Sequence, residues 1–340
     1  MEREQWHDQA PEFVRHDGRR HADHASRIRF SWTFQGARRA PLARAHITGH
    51  LSSTMTDANA RGTSAERTRA HPPETTEGWY AFHQILGVDR AALRRIAPNE
   101  RDRIRIEAES ALDAASAPAT GGWSAVVPLV GSRGDVMLVH FRPTFDGIGD
   151  VQRSLARVEL FDYLRPVYSF LSVTEAGLYH ASAQLAAAAE ARGGMVGDAQ
   201  HREAMNARVE SERASAHVQR RLFPVIPPEM PYVCFYPMSK RRVPGQNWYA
   251  LPLEERSRLM MTHGMTGRGY AGRVVQVITG ALGLDAWEWG VTLFAADPLA
   301  FKKIVTDMRF DEVSAHYAEF GDFYVGRVAT ARDWVGEMLG

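Results

Sequence analysis

The 340-residue chain carries 41 basic and 40 acidic side chains, a net charge of +1, and is 44% hydrophobic and 24% charged. That balance fits two modest globular domains or one large one and gives no global drive toward nucleic acid or an anionic membrane. A single cysteine, Cys234, excludes an intrachain disulfide and a cysteine-only metal cluster, and no run of eighteen apolar residues offers a membrane span. With no apolar signal core at the N-terminus, a reducing cytoplasm is the expected compartment.

Residues 1–75 hold seven of the fourteen histidines and no lysine, and their apolar residues follow neither a helical nor a strand period. Segments such as His16–His21 and Pro72–Glu77 bury too little apolar surface to offset chain ordering, so this stretch is expected to be disordered, or an extension upstream of a start at Met55. Glu2, Glu4, Asp8 and Glu12 argue against a transit peptide, and the histidine spacing is too irregular for a metal tract.

From Trp79 the chain reads as a repeat. The first unit, residues 76–178, has a strand over 79–86, a helix over 90–116 and strands over 122–130 and 134–143 joined at Gly131-Ser132-Arg133-Gly134. A helix over 148–164 with Val151, Leu155, Val158 and Phe161 on one stripe follows, then a strand over 167–173. Residues 179–230 read as a helical connector interrupted at Gly193-Gly194. The second unit, 231–332, repeats the order: a strand over 232–238, a helix over 252–263 stopped by Gly264, strands over 273–279 and 288–294, a helix from Asp297-Pro298 to Met308, and a strand over 320–328. Each unit is βαββαβ, so the predicted fold is α+β, two tandem ferredoxin-like units whose sheets pack face to face in a dimeric α/β-barrel-like arrangement. Such a fold does not by itself specify a function.

Candidate chemistry concentrates in the second unit. His263 ends its predicted helix, where a histidine commonly complements the helix dipole, but a neutral imidazole beside methionines also suits axial ligation of haem iron. Strand alternation places Tyr236 and Met238 on one face with Tyr232 and Cys234, and Lys240-Arg241-Arg242 at the rim. That pattern fits an ordinary strand and basic turn, or a redox-capable phenol beside cations that receive carboxylates. Gln276 shares a face with Val274 and Ile278, as hydrogen-bonded core or as a polar group in a cavity. Met308–Ser314 ends the next helix, as a surface cap or a second anion-binding set, and Trp248, Trp287 and Trp289 are read as packing residues.

Taken together, Tyr236-Pro237-Met238-Ser239-Lys240-Arg241-Arg242, Asn247-Trp248-Tyr249, His263-Gly264, Gly267–Gly272, Glu288–Phe294 and Met308–Glu312 resemble the chlorite dismutase-like haem proteins, specifically their coproheme decarboxylase branch. The resemblance spans about residues 77–330. It implies a homopentamer whose substrate and redox cofactor is iron coproporphyrin III (coproheme), with hydrogen peroxide as oxidant and haem b as product, and transient contact with a coproporphyrin ferrochelatase. By matching position, His263 is the axial iron ligand and Tyr236 the radical-forming residue. Lys240 holds a reactive propionate, while Arg221 and Ser314 steady propionates; a one-residue offset leaves Arg220 as the alternative to Arg221. Met238 packs at the porphyrin edge, Arg268 lies on a loop over the pocket, and Gln276 takes the distal position, where true chlorite dismutases carry arginine. The rival readings are a non-catalytic haem carrier or sensor, and a chlorite dismutase or peroxidase-type enzyme.

Overall fold

The computed structural model describes residues 71–340, so the expectation for the stretch before residue 71 lies outside the described residues. Its last part is structured: Thr75 begins a strand, and Glu74 N–H donates to Ser182 Oγ at 2.8 Å. The reading of Pro72–Glu77 as unfolded is therefore corrected, because cross-strand pairing of Thr75–Glu77 with Glu175–Gly177 supplies order that local composition does not reveal.

The first unit runs β1 (Thr75–Val88), α1 (Arg90–Leu93), α2 (Pro98–Ser116), β2 (Trp123–Pro128), β3 (Val136–Arg142), α3 (Phe145–Leu155), a 3-10 turn (Glu159–Tyr163) and β4 (Leu164–Gly177). Two predicted helices are thus shorter than expected. Pro98 restarts the first, since proline favours the opening turn of a helix, and the second gives way at Ala156 to the 3-10 turn. The connector folds as α4 (Tyr179–Ala191), α5 (Ala199–Ala214) and α6 (Ala216–Leu222), with Gly193 at φ +78° between α4 and α5. The second unit contains β5 (Tyr232–Lys240), α7 (Leu253–Arg268), β6 (Val274–Gly280), β7 (Trp289–Ala295), α8 (Leu299–Phe310), α9 (Glu312–Tyr317), β8 (Ala318–Phe320) and β9 (Tyr324–Arg327), followed by α10 (Ala331–Leu339). The single strand expected over 320–328 is divided at Gly321–Phe323, and α10 was not anticipated.

Among the described residues the paired strands are antiparallel, in the order β2-β3-β1-β4-β6-β7-β5-β8, with β9 also on β5. Each half keeps ferredoxin-like order, and β4 joins β6 through Val173–Gly280 and Thr174–Thr279. At the other edge, bridges Val126–Ala329 and Leu129–Gly326 draw β2 toward the β9 segment, so the double sheet curls into a barrel. Its interior core draws Ala81, Ile85, Val127, Met137 and Phe141 from the first half, and Val233, Phe235, Val277 and Phe294 from the second.

Alternation then assigns the outer faces. On β5, Val233 and Phe235 point into the barrel, while Cys234 and Tyr236 join Val274, Val291, Phe301 and Ile304 in an outer core beneath α8. On β6, Val277 points inward and Val274 and Ile278 outward, as the sequence pattern requires. The outer face of the first half is closed by α2 and α3 together with α10, whose Trp334, Val335 and Leu339 are buried against it.

Candidate functional site

His263 does not end its helix. α7 continues through Gly264 to Arg268 and turns only at Gly269–Gly272, with Gly272 at φ +77°. A glycine can stop a helix, but Gly264 keeps helical geometry here, and the helix stays packed beyond it, with Gly267 against Gln276 and Met308. The dipole reading of His263 is overturned. Its Nδ1 instead hydrogen-bonds Oδ2 of Asp311, a carboxylate 8% exposed. Burial lowers the imidazole pKa, opposed by the Asp311 hydrogen bond and charge, which favours the neutral ring a metal ligand needs.

Asp311 is fixed from its own side. Its Oδ1 accepts from Val313 N–H at 3.2 Å, so the residue caps α9, which carries the buried Ser314 one turn on. Met308–Ser314 therefore spans the end of α8, a cap and a new helix, rather than one helix end. The signal that sequence reading missed is an N-cap signal: an aspartate immediately before Glu312-Val313.

Lys240, the last residue of β5, is 8% exposed. Its Nζ stands 4.5 Å from the centre of the Trp248 ring, which gives that tryptophan a role beyond packing. Among the described residues no carboxylate lies within 4 Å of this ammonium. Burial lowers its pKa to about 8, with Asp311 and Glu288 pulling the other way. Glu288, 6% exposed, accepts from Lys240 N–H at 2.7 Å and pairs with Arg242 at 3.2 Å. Its contribution was not legible in the sequence, where it stood as the first residue of a strand.

Tyr236 and Met238 lie on the same face of β5 as Lys240. Tyr236 is 9% exposed and stacks on Phe323, with ring centres 4.5 Å apart, and burial raises its phenol pKa. Met238 is half-buried between Trp289 and Phe320 of the neighbouring strands. Gln276 lies under α7: a methyl placed on Gly267 would stand 3.3 Å from Gln276 Nε2 and 3.3 Å from the Met308 Cε. Gly267 is four residues, one turn, beyond His263 on the same side of the helix.

Two predicted residues stand apart. Arg221, on α6, is half-buried and feels the carboxylate of Glu175, which accepts from Trp289 Nε1 at 2.8 Å; Arg220 is exposed, so Arg221 is the inward member of the pair. Arg268 is the exposed final residue of α7, on helix rather than loop, because α7 is longer than expected.

The arrangement fits an iron porphyrin better than a bare metal ion. Among the described residues no group of three or more His, Cys, Asp or Glu side chains is placed to hold a cation. One imidazole with Nδ1 on a carboxylate would leave Nε2 to hold an iron, and Lys240 is a buried cation without a direct carboxylate partner among the described residues.

Comparison with known proteins agrees. Residues 101–329 match the chlorite dismutase family. A coproheme decarboxylase from Staphylococcus saprophyticus is 40% identical over 260 residues, covering 76% of this chain and 94% of that protein. A heme-binding protein from Thermus thermophilus superposes with a TM-score of 0.67 at 37% identity, covering 79% of this chain and all of that one. A mutant chlorite dismutase from Candidatus Nitrospira defluvii, 16% identical with a TM-score of 0.58 over 78% of this chain and 97% of its own, shares the fold. The double ferredoxin-like barrel, the histidine–aspartate pair over its outer face and the extent of these matches lead to one conclusion: the chain belongs to the chlorite dismutase family.

Proposed function

We propose that the protein is a coproheme decarboxylase, an oxidoreductase that converts two propionates of iron coproporphyrin III to vinyl groups and yields haem b. The observation that carries this reading is Lys240, a buried cation without a carboxylate partner among the described residues, on the same strand face as the buried phenol of Tyr236. A carrier or sensor needs the iron ligand but has no use for that pair in register. The 40% identity to a named coproheme decarboxylase supports the reading, and a glutamine rather than an arginine at position 276 speaks against chlorite chemistry. Residues 231–332 form the porphyrin-binding unit in this proposal. Hydrogen peroxide as oxidant, a homopentamer, a cytoplasmic setting and transient contact with a coproporphyrin ferrochelatase complete it. Among the described residues no helix is long and apolar enough to cross a membrane.

Each conversion removes carbon dioxide and one hydrogen from a propionate, while one peroxide takes up the two electrons and two protons and becomes two waters. The bound iron supplies the oxidising equivalents that an unactivated C–H bond requires. His263 would hold the iron through Nε2, with Asp311, hydrogen-bonded to Nδ1, fixing the ring's tautomer and direction. Tyr236, kept a neutral phenol by burial and its stack on Phe323, would first give up one electron and its proton toward peroxide reduction. The phenoxyl radical so formed would take the hydrogen atom from the propionate carbon next to the macrocycle. The carbon radical would then lose the second electron and carbon dioxide to leave the vinyl group. Lys240 and Ser314 orient carboxylates by charge and hydrogen bonding, with Arg221 further out. Met238 would pack against the porphyrin, Arg268 would border the opening, and Gln276 would offer the pocket a neutral amide, whose weaker electrostatic pull on peroxide suits slow oxidation. Because the product has lost two anions, it is held less tightly than the substrate.

The test is direct. Purified protein is mixed with iron coproporphyrin III, peroxide is added, and product mass is followed. Stepwise loss of two carbon dioxide units is expected. Binding without mass change would indicate a carrier, and oxygen release from chlorite would indicate a dismutase.

A further inference from the structure

We infer that Arg256 is a further receptor for a substrate carboxylate, reached from the same face of α7 as His263. This rests on the reading of the site as one for iron coproporphyrin III. Arg256, Met260, His263 and Gly267 succeed one another at intervals of four, three and four residues, so they form one stripe along α7. One end of the stripe, Gly267, faces Gln276 and Met308, and its middle, His263, faces Asp311. Arg256 stands two turns before His263, about 10 Å along the axis. A porphyrin held at its centre by His263 carries its propionate carboxylates at a comparable reach.

The surroundings of Arg256 ask for an anion. The residue is 4% exposed, and its Nε finds no hydrogen-bond partner. Nη2 donates to the carbonyl of His71. Among the described residues no carboxylate lies within 4 Å of the guanidinium. A buried guanidinium with one neutral acceptor is far from satisfied, and a carboxylate accepting two parallel N–H bonds is its best complement. Tyr179 is close enough to influence it, and Tyr179 packs edge-on against Trp248 at 6.3 Å. Trp248 is the ring over which the Lys240 ammonium sits. Two buried cations without carboxylate partners thus flank one aromatic pair, Lys240 at the end of β5 and Arg256 on α7. An uncharged ligand gives no reason to bury both; a porphyrin with four carboxylates does.

The competing account is that Arg256 only anchors the backbone at His71, and the two accounts separate experimentally. Soret titrations give the affinity of the full chain, Arg256→Gln and Arg256→Lys for iron coproporphyrin III and for its uncharged tetramethyl ester in one detergent buffer. A urea midpoint is taken for each apo-protein. Arg256→Gln should weaken the free acid tenfold or more and leave the ester unchanged, and Arg256→Lys should recover part of the loss. Equal weakening of acid and ester, or an unaltered free-acid affinity, would overturn the inference while the site reading stands. Failure of the unaltered chain to bind the free acid would overturn both.

Discussion

Replacing Lys240 with methionine should make the empty protein more stable while disabling it. The ammonium is buried, and its pKa falls from 10.5 to about 8. At pH 7 the side chain is charged in both folded and unfolded chains, so that fall corresponds to a cost of about 3 kcal/mol against folding. The contact with Trp248 recovers about 1 kcal/mol. Methionine keeps most of the stem volume, so the variant should gain about 2 kcal/mol at pH 7. The sign with pH follows from the lowered folded-state value. Between about pH 8 and 10.5 the unfolded chain binds more protons than the folded one, so natural stability rises there. By pH 9 the folded amine is mostly neutral: the cost shrinks to about 2 kcal/mol and the ring contact fades with the charge, so the advantage of the variant is no larger than at pH 7. Urea unfolding of both apo-proteins at pH 7 and pH 9 measures this. With coproheme present the order should reverse, because the substrate supplies the missing anion. A variant less stable than the natural protein at pH 7, or an advantage that widens toward pH 9, would refute the reasoning.

Tyr236→Phe should bind coproheme with a normal Soret band and yield no haem b; vinyl product at the natural rate would remove the phenol from the reaction. Asp311→Asn leaves His263 without its carboxylate and should weaken iron porphyrin affinity by about 10–100-fold, read by competition with a haem scavenger. His83 and His140 are fully buried, and burial holds both pKa values near about 3, far below 6.5. Their neutral forms are favoured in the fold, so stability should fall as the pH drops from 6.5 toward 3, by about 2 kcal/mol per residue at pH 5. In His140→Gln about half of that loss should disappear from the urea midpoints; an unchanged pH profile would show that the imidazole ionises inside the fold.

What could be read from the sequence, and what could not, divides along a physical line. Period-two alternation is local, so the shared faces of Tyr236 with Met238 and of Gln276 with Ile278 were legible in the residue order alone. The repeated βαββαβ order was legible for the same reason. The His263–Asp311 pair was not, because it joins residues 48 positions apart and depends on a helix that continues through Gly264. Glycine disfavours a helix interior by only about 1 kcal/mol, so tertiary packing can decide between stop and continuation. Glu288 and Arg256 were missed because a charged residue at a strand start or a helix N-terminal turn ordinarily faces water. Only tertiary burial makes them unusual.

Helix α10 has a bearing on how this protein is made. Its Trp334, Val335 and Leu339 complete the core of the first unit, although they are translated after the whole of the second. The ribosome therefore releases a first unit whose outer face stays open while the porphyrin-binding half is synthesised. Neither half has a finished core of its own, so separating the chain between α6 and β5 would not yield an independent haem-binding module. The order in which the halves emerge and the order in which they close are different, and α10 sets when the core of the first unit can close.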